Sequence, residues 1–285
     1  MSSPTNGNAF KKNGRIVIIG ASLAGLRGAE ALRNEGFSGH LTIIGDEPHE
    51  PYDRPPLSKQ VQKGWVKADH TKLPRMRKVD AEWRLGVAAT GLDRASGVVR
   101  LANGDEVAGD ALLIATGVRA RPWPNPEEAK LEGVYTLRTC EDAARLQAAL
   151  AARPRRVLVI GAGFIGSEVA SVCRELGLEV TVAERAAAPL AGALGNVIGA
   201  IAAEMQRDAG VDLAPVSASR SLKETQRGMC VTHAFPTGPC SMWTWCWHRW
   251  ARSATSNGWR APGWLPASGV WPVMPVAAPS ISMVS

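Results

Sequence analysis

The chain has 285 residues, 45% of them hydrophobic and 21% charged, with a net charge of +7. No apolar run reaches the roughly 20 residues needed to span a bilayer, and the polar first 14 residues lack the apolar core of a signal peptide. The five cysteines (Cys140, Cys173, Cys230, Cys240 and Cys246) form no Cys-x-x-Cys pair or other metal spacing, so the expectation is a soluble, cytoplasmic protein of about two domains, with no metal site, no membrane attachment and no nucleic-acid partner.

In chain order, Arg15 to Gly20 predicts a strand, a helical pattern follows to about Glu35, and His40 to Gly45 predicts a second strand. Asp46 to Ser58 reads as a Pro-rich loop. Between Lys59 and Lys78 lie seven basic residues, Lys59, Lys63, Lys67, Lys72, Arg75, Arg77 and Lys78. They form either a patch that steers an acidic partner or a solvated face. Two short extended runs flank Asn103-Gly104, a hairpin signal because both residues accept positive φ. Asp110 to Gly117 is apolar enough for a buried strand, and Pro122 to Pro126 reads as a linker. The pattern then restarts, with a strand at Arg155 to Gly161, a helix at Phe164 to Leu176, a strand at Glu179 to Glu184 and a helix at Ala193 to Ala209. Two strand–helix–strand units predict a doubly wound, parallel α/β architecture, repeated.

Each unit opens with a candidate phosphate-binding turn. Gly20, Ala21, Ser22, Leu23, Ala24 and Gly25 read as G-x-G-x-x-G with serine in the second glycine position. Such a turn aims backbone N–H groups at a pyrophosphate, and the helix N-terminus adds a favourable partial charge. Ser22 crowds the approach slightly but can donate its own hydroxyl. Asp46 and Glu47 close the second strand, where an acid can accept a hydrogen bond from a ribose hydroxyl.

The second turn, Gly161, Ala162, Gly163, Phe164, Ile165 and Gly166, is a full fingerprint directly after a strand. Glu184 ends the next strand. A carboxylate there binds a ribose 2′-OH and repels a 2′-phosphate, favouring NADH over NADPH; Arg185, next to it, works against that preference. Glu168 is expected in the first helical turn, where an acid also complements the helix dipole.

A full fingerprint in mid-chain after an earlier one resembles the FAD-dependent pyridine nucleotide-disulfide oxidoreductases. The resemblance sharpens at Gly45-Asp46-Glu47-Pro48 and at Pro51-Tyr52-Asp53-Arg54-Pro55-Pro56-Leu57-Ser58-Lys59. It extends to Ala115-Thr116-Gly117 with Arg121 and to Tyr135-Thr136-Leu137-Arg138-Thr139. These strings are similar to the ferredoxin-reductase (putidaredoxin/rubredoxin reductase-like) branch, over about residues 14 to 234. No cysteine precedes Cys140, which separates the chain from the disulfide-reducing branch. The resemblance implies two Rossmann-like, three-layer ββα/βαβ domains, FAD in the first site and NADH in the second. It further implies single-electron delivery to a [2Fe-2S] ferredoxin or rubredoxin-type acceptor. It implies that Arg54 and Lys59 contact FAD, that Ala115, Thr116, Gly117 and Arg121 lie near it, and that Glu168 sits near the nicotinamide and balances the charge of Lys59. Lys59 and Glu168 are thus the candidate catalytic pair. Taken alone, Pro55-Pro56 also suits a rigid loop and Lys59 a surface lysine.

From Phe235 onward the composition changes. Seven of the ten tryptophans and seven of the nineteen prolines fall there, with no Asp, Glu or Lys, whereas even a Trp-rich module needs charged surface. Met and Trp have single codons, so Met242 to Trp247 must be ATG TGG ACN TGG TGY TGG. Read from the third base, this gives Val-Asp-(Leu, Met or Val)-Val-Leu, a buried-strand pattern. The same shifted frame permits Glu-Trp-Leu at Ser256 to Arg260 and Val-Ala-Cys-Asp-Ala at Val270 to Pro275. The expectation is a disordered leader (1–13), the first part of an FAD domain (14–121), an incomplete NADH domain (122–234) and an irregular, out-of-frame tail (235–285). The shift would lie near Ala234 to Pro236. Two function classes follow: an FAD-dependent NADH:ferredoxin (or rubredoxin) oxidoreductase, or an inactive truncated fragment with residual nucleotide binding. Resequencing the gene across this region is expected to reveal the shifted base count; an intact frame, with this tail confirmed in the mature protein by peptide mass spectrometry, contradicts it.

Overall fold

The computed structural model describes residues 12–123, 125–215, 223–225, 228–230, 243–247 and 283–284. Residues 1–11 of the expected leader (1–13) and the expected change of frame near Ala234 lie outside the described residues. The chain groups into two compact units, one containing the described residues within 1–52, 72–118 and 253–285, the other those within 53–71 and 119–252.

The first unit begins with β1 (Arg15–Ile19), where an exposed Arg15 precedes four buried β-branched residues. Such continuous apolar runs belong to parallel strands covered on both faces. Helix α1 (Leu23–Asn34) leads to β2 (His40–Gly45), then β3 (Glu82–Leu85). A three-stranded antiparallel sheet follows, built from β4 (Ala89–Asp93), β5 (Val98–Leu101) and β6 (Glu106–Ala108), before β7 (Ala111–Ile114) returns to the main sheet. The Asn103-Gly104 turn joins β5 to β6 as expected, with Gly104 at φ 90°. In the main sheet β7, β1, β2 and β3 lie side by side and parallel.

Successive residues of β1 face opposite layers, as the two-residue strand period requires. Ile16 and Ile18 pack with Leu26 and Ala29 of α1, Phe37, Leu41, Ile43 and Leu113. Val17 and Ile19 pack with Val99, Leu101 and Val107 of the antiparallel sheet. Three layers result: helix, parallel sheet, antiparallel sheet.

The second unit contains α2 (Pro126–Ala129), β8 (Val134–Thr136), α3 (Cys140–Ala151), β9 (Arg156–Ile160), α4 (Phe164–Glu175), β10 (Glu179–Glu184), α5 (Ala191–Asp208) and β11 (Asp212–Pro215). A hairpin of β12 (Lys223–Thr225) and β13 (Gly228–Cys230) precedes β14 (Trp243–Trp247). Strands β11, β10, β9, β14 and β8 form a parallel sheet in that order. Helix α3, not predicted above, starts with a capping box. The Thr139 hydroxyl accepts from the Asp142 N–H at 3.2 Å, and the Asp142 carboxylate accepts from the Thr139 N–H at 3.1 Å. Helix α5 is interrupted at Gly195, which takes φ 83°.

Within the tail, Trp243–Trp247 is a strand between β9 and β8, and Met283–Val284 pairs antiparallel with β7. Tryptophan, threonine and cysteine are compatible with extended backbone, and a ladder needs only N–H and C=O groups. Residues 53–71 pack in the second unit, where Gln62 Nε2 donates to the Leu57 and Ala143 carbonyls at 2.8 and 3.1 Å and Arg54 donates to the Arg138 carbonyl at 2.7 Å.

Leu146 of α3 is fully buried. Replacing it with alanine should lower stability by about 2–5 kcal/mol through lost packing and a residual cavity, read as a drop in the urea midpoint of the second unit.

Candidate functional site

The two glycine turns share one geometry. A Cβ on Gly25 would lie 1.9 Å from the Gly20 carbonyl oxygen and 3.4 Å from Ile18 Cγ2; a Cβ on Gly166 would lie 1.9 Å from the Gly161 oxygen and 3.4 Å from Val159 Cγ1. In both turns only glycine lets the helix start this close to its strand. Gly20 and Gly161 take φ 121° and 95°, in the region that favours glycine.

The middle positions differ from these. Gly163 is the N-cap of α4, and a side chain there would meet nothing within 4 Å. Ser22 is the N-cap of α1 in extended conformation. Neither helix start carries a side-chain cap, so the first-turn amides point out of the helix end, where an anion is favoured. Leu23, Ala24 and Phe164 are exposed there, and Ile165 is half-buried. A Cβ on Gly20 would also lie 2.1 Å from the Ala115 carbonyl, so the Ala115-Thr116-Gly117 segment runs directly beside the first turn. The carboxylate of Glu47, two residues beyond β2, accepts a hydrogen bond from the hydroxyl of the buried Tyr52.

At the second turn Glu184 accepts from the Ala162 N–H at 2.6 Å and the Ala186 N–H at 2.8 Å. Two backbone donors hold its carboxylate beside the glycine turn. Glu168 is the fifth residue of α4, beyond the first turn in which it was expected, and that turn holds no acid. Its role is not simply to complement the helix dipole. Lys59 Nζ lies 2.9 Å from its Oε1, and the Ser58 hydroxyl donates to its Oε2 at 2.5 Å. Lys59 and Glu168 are 37% and 33% exposed; a solvated pair of this kind contributes about 0–1 kcal/mol, so its meaning lies in placement of charge. Arg54 meets the backbone of the Tyr135–Thr139 segment, and Arg121 is exposed. Sequence spacing gave no sign of Ser58 or Tyr52 as partners of these acids; both stand inside the Pro51–Lys59 string, which is the one signal that pointed to them.

Cys140 and Cys173 are buried free thiols, and burial pushes the Cys173 thiol up to about 12, which keeps it protonated and inert at neutral pH. Among the described residues no helix is long and apolar enough to cross a membrane, and no cluster of three His, Cys, Asp or Glu could hold a metal ion. An open cleft of about 690 Å³ in the first unit is lined by Trp83, Arg84, Leu85, Gly86, Val87 and Asn103 among others. None of the expected site residues lines it.

A family model described as pyridine nucleotide-disulphide oxidoreductase matches residues 14–233. The ferredoxin–NAD(+) reductase subunit of the benzene 1,2-dioxygenase system of Pseudomonas putida is 40% identical over 191 residues, 65% of this chain and 45% of that protein. Rhodocoxin reductase of Rhodococcus erythropolis is 42% identical over 187 residues, 64% of this chain and 43% of that protein. Among solved structures, the covalent putidaredoxin reductase–putidaredoxin complex aligns with a TM-score of 0.70 at 31% identity, over 75% of this chain and 52% of that chain. The chain therefore spans about half the length of the curated relatives it matches. With a matching segment that takes in both glycine turns and the Pro51–Lys59 string, the chain belongs to the pyridine nucleotide-disulphide oxidoreductase family.

Proposed function

We propose that this chain carries the two nucleotide sites of an FAD-dependent NADH:ferredoxin (or rubredoxin) oxidoreductase. The observation that carries the reading is the repeated glycine turn, the same 1.9 Å constraint at Gly25 and Gly166 with an uncapped helix start above each. When bound, FAD supplies the hydride acceptor and the means of releasing electrons singly. The first-turn amides of α1 hold its pyrophosphate, and Glu47, kept in place by Tyr52, accepts a ribose hydroxyl. Ala115, Thr116 and Gly117 line the same turn.

The residues of the second turn hold NADH. Gly163 leaves room for the pyrophosphate, the α4 amides bind it, and Glu184 accepts from the 2′-OH, which favours NADH over NADPH. Lys59 and Glu168 form a compensated charge pair at the redox end. No side chain has to form a covalent bond; the protein's work is geometry and electrostatics. The electron acceptor is a [2Fe-2S] ferredoxin or rubredoxin-type protein; the likeness to a ferredoxin–NAD(+) reductase and to putidaredoxin reductase in complex with putidaredoxin supports an acceptor of the ferredoxin kind. Nucleotide binding without electron transfer is the second reading.

Purified protein that retains flavin, seen in its visible spectrum, and oxidises NADH with an artificial acceptor meets the first reading. Colourless protein that still binds NADH meets the second. Gly163→Val is expected to weaken NADH binding at least tenfold, about 1.4 kcal/mol, while far-UV circular dichroism and the urea midpoint stay at parent values, because the new side chain meets only open space. Unchanged affinity would mean that the turn holds no diphosphate. The ratio of NADPH to NADH dissociation constants should favour NADH in the parent and fall toward parity in Glu184→Ala.

A further inference from the structure

Adjacent residues of the 53–71 segment hold the two oxygens of a single carboxylate: Ser58 takes Oε2 of Glu168 and Lys59 takes Oε1. The two donors are not equivalent. The Lys59 ammonium rides on four rotatable bonds and is partly solvated. Ser58 is only 3% exposed and has a single side-chain torsion to its oxygen. It ends a 3₁₀ turn (Pro55–Ser58) whose φ angles are restricted by Pro55 and Pro56 and whose Leu57 carbonyl is held by the buried Gln62 amide. The rigid donor sets the carboxylate, and the flexible cation follows it.

We propose that Ser58 is a positioning residue of the second nucleotide site: its hydroxyl fixes the Glu168 carboxylate and, through it, the ammonium of Lys59. This rests on the reading of Lys59 and Glu168 given above and names the group that orients them. The electrostatic reason lies in α4. Glu168 stands just past the first turn of the helix whose N-terminus is suited to an anion. A carboxylate free to swing toward that end repels the diphosphate. Held by two donors from the 53–71 segment, it is turned to a fixed partner and its charge is matched.

The test is competitive acetylation of the full chain with acetic anhydride, read by peptide mass spectrometry, with NADH titrated by its fluorescence. Lys63 is the internal control, since it lies in the same segment with its own partner, Glu175, at 2.5 Å. In Ser58→Ala, Lys59 is expected to acetylate severalfold faster with Lys63 unchanged, and NADH to bind severalfold more weakly. Glu168→Gln should also speed Lys59, and adding Ser58→Ala to it should change nothing further. Parent-rate acetylation of Lys59 in Ser58→Ala overturns the proposal. So does a joint rise at Lys59 and Lys63, which marks a loosened segment, and so does unchanged NADH affinity in a variant chain that binds it. A parent chain that binds no NADH sinks the function proposed above instead, while the acetylation contrast still decides the role of Ser58.

Discussion

In each unit the carbonyl oxygen of one glycine fills the space that a side chain on another, five residues later, would need. That exclusion fixes the rest of the local structure. It brings the first turn of α1 against β1 and the first turn of α4 against β9. The helix axis then ends directly beyond the sheet, where its unpaired amides face outward. The fold satisfies this constraint twice with different neighbours, Ile18 beneath one turn and Val159 beneath the other. A steric requirement of the backbone thus produces, as a by-product, two places suited to a diphosphate.

Charge in the second unit is arranged around the same helix end. Glu184 is tied to two backbone amides, and Glu168 to a hydroxyl and an ammonium. Both acids near the turn therefore have committed partners, which limits their repulsion of an incoming anion. Glu47 in the first unit is likewise bonded to the phenol of Tyr52.

Much of this was legible in the sequence, for physical reasons that differ by element. Strands β1, β2, β9 and β10 each carry a run of buried residues, most of them β-branched, and the glycine spacing marks the turns regardless of context. Helix α3 carried a start signal in Thr139 and Asp142, but the alanines around its buried Ala143, Leu146 and Leu150 dilute its periodicity. Strand β3 is short and partly exposed, and gives no alternation to read. Strand β14 lacks the polar-apolar contrast on which periodicity depends, although its residues accept extended backbone. The partnership of Ser58 with Glu168 spans 110 positions; nothing local encodes it, and only the folded second unit brings the two together.

The second unit is not a continuous stretch of chain. Leu57 and Val61, each 2% exposed, come from a segment that residues 72–118 separate from the rest of that unit. A contiguous fragment beginning at residue 119 would leave the Ala143 carbonyl without its Gln62 donor and the Glu168 carboxylate without either of its own. Completing this unit therefore requires closing a long loop first, an entropic cost that grows with the length of the intervening chain. Covalent order and cooperative order diverge here: strands β3 to β7 of the first unit are synthesised before the second unit can be finished.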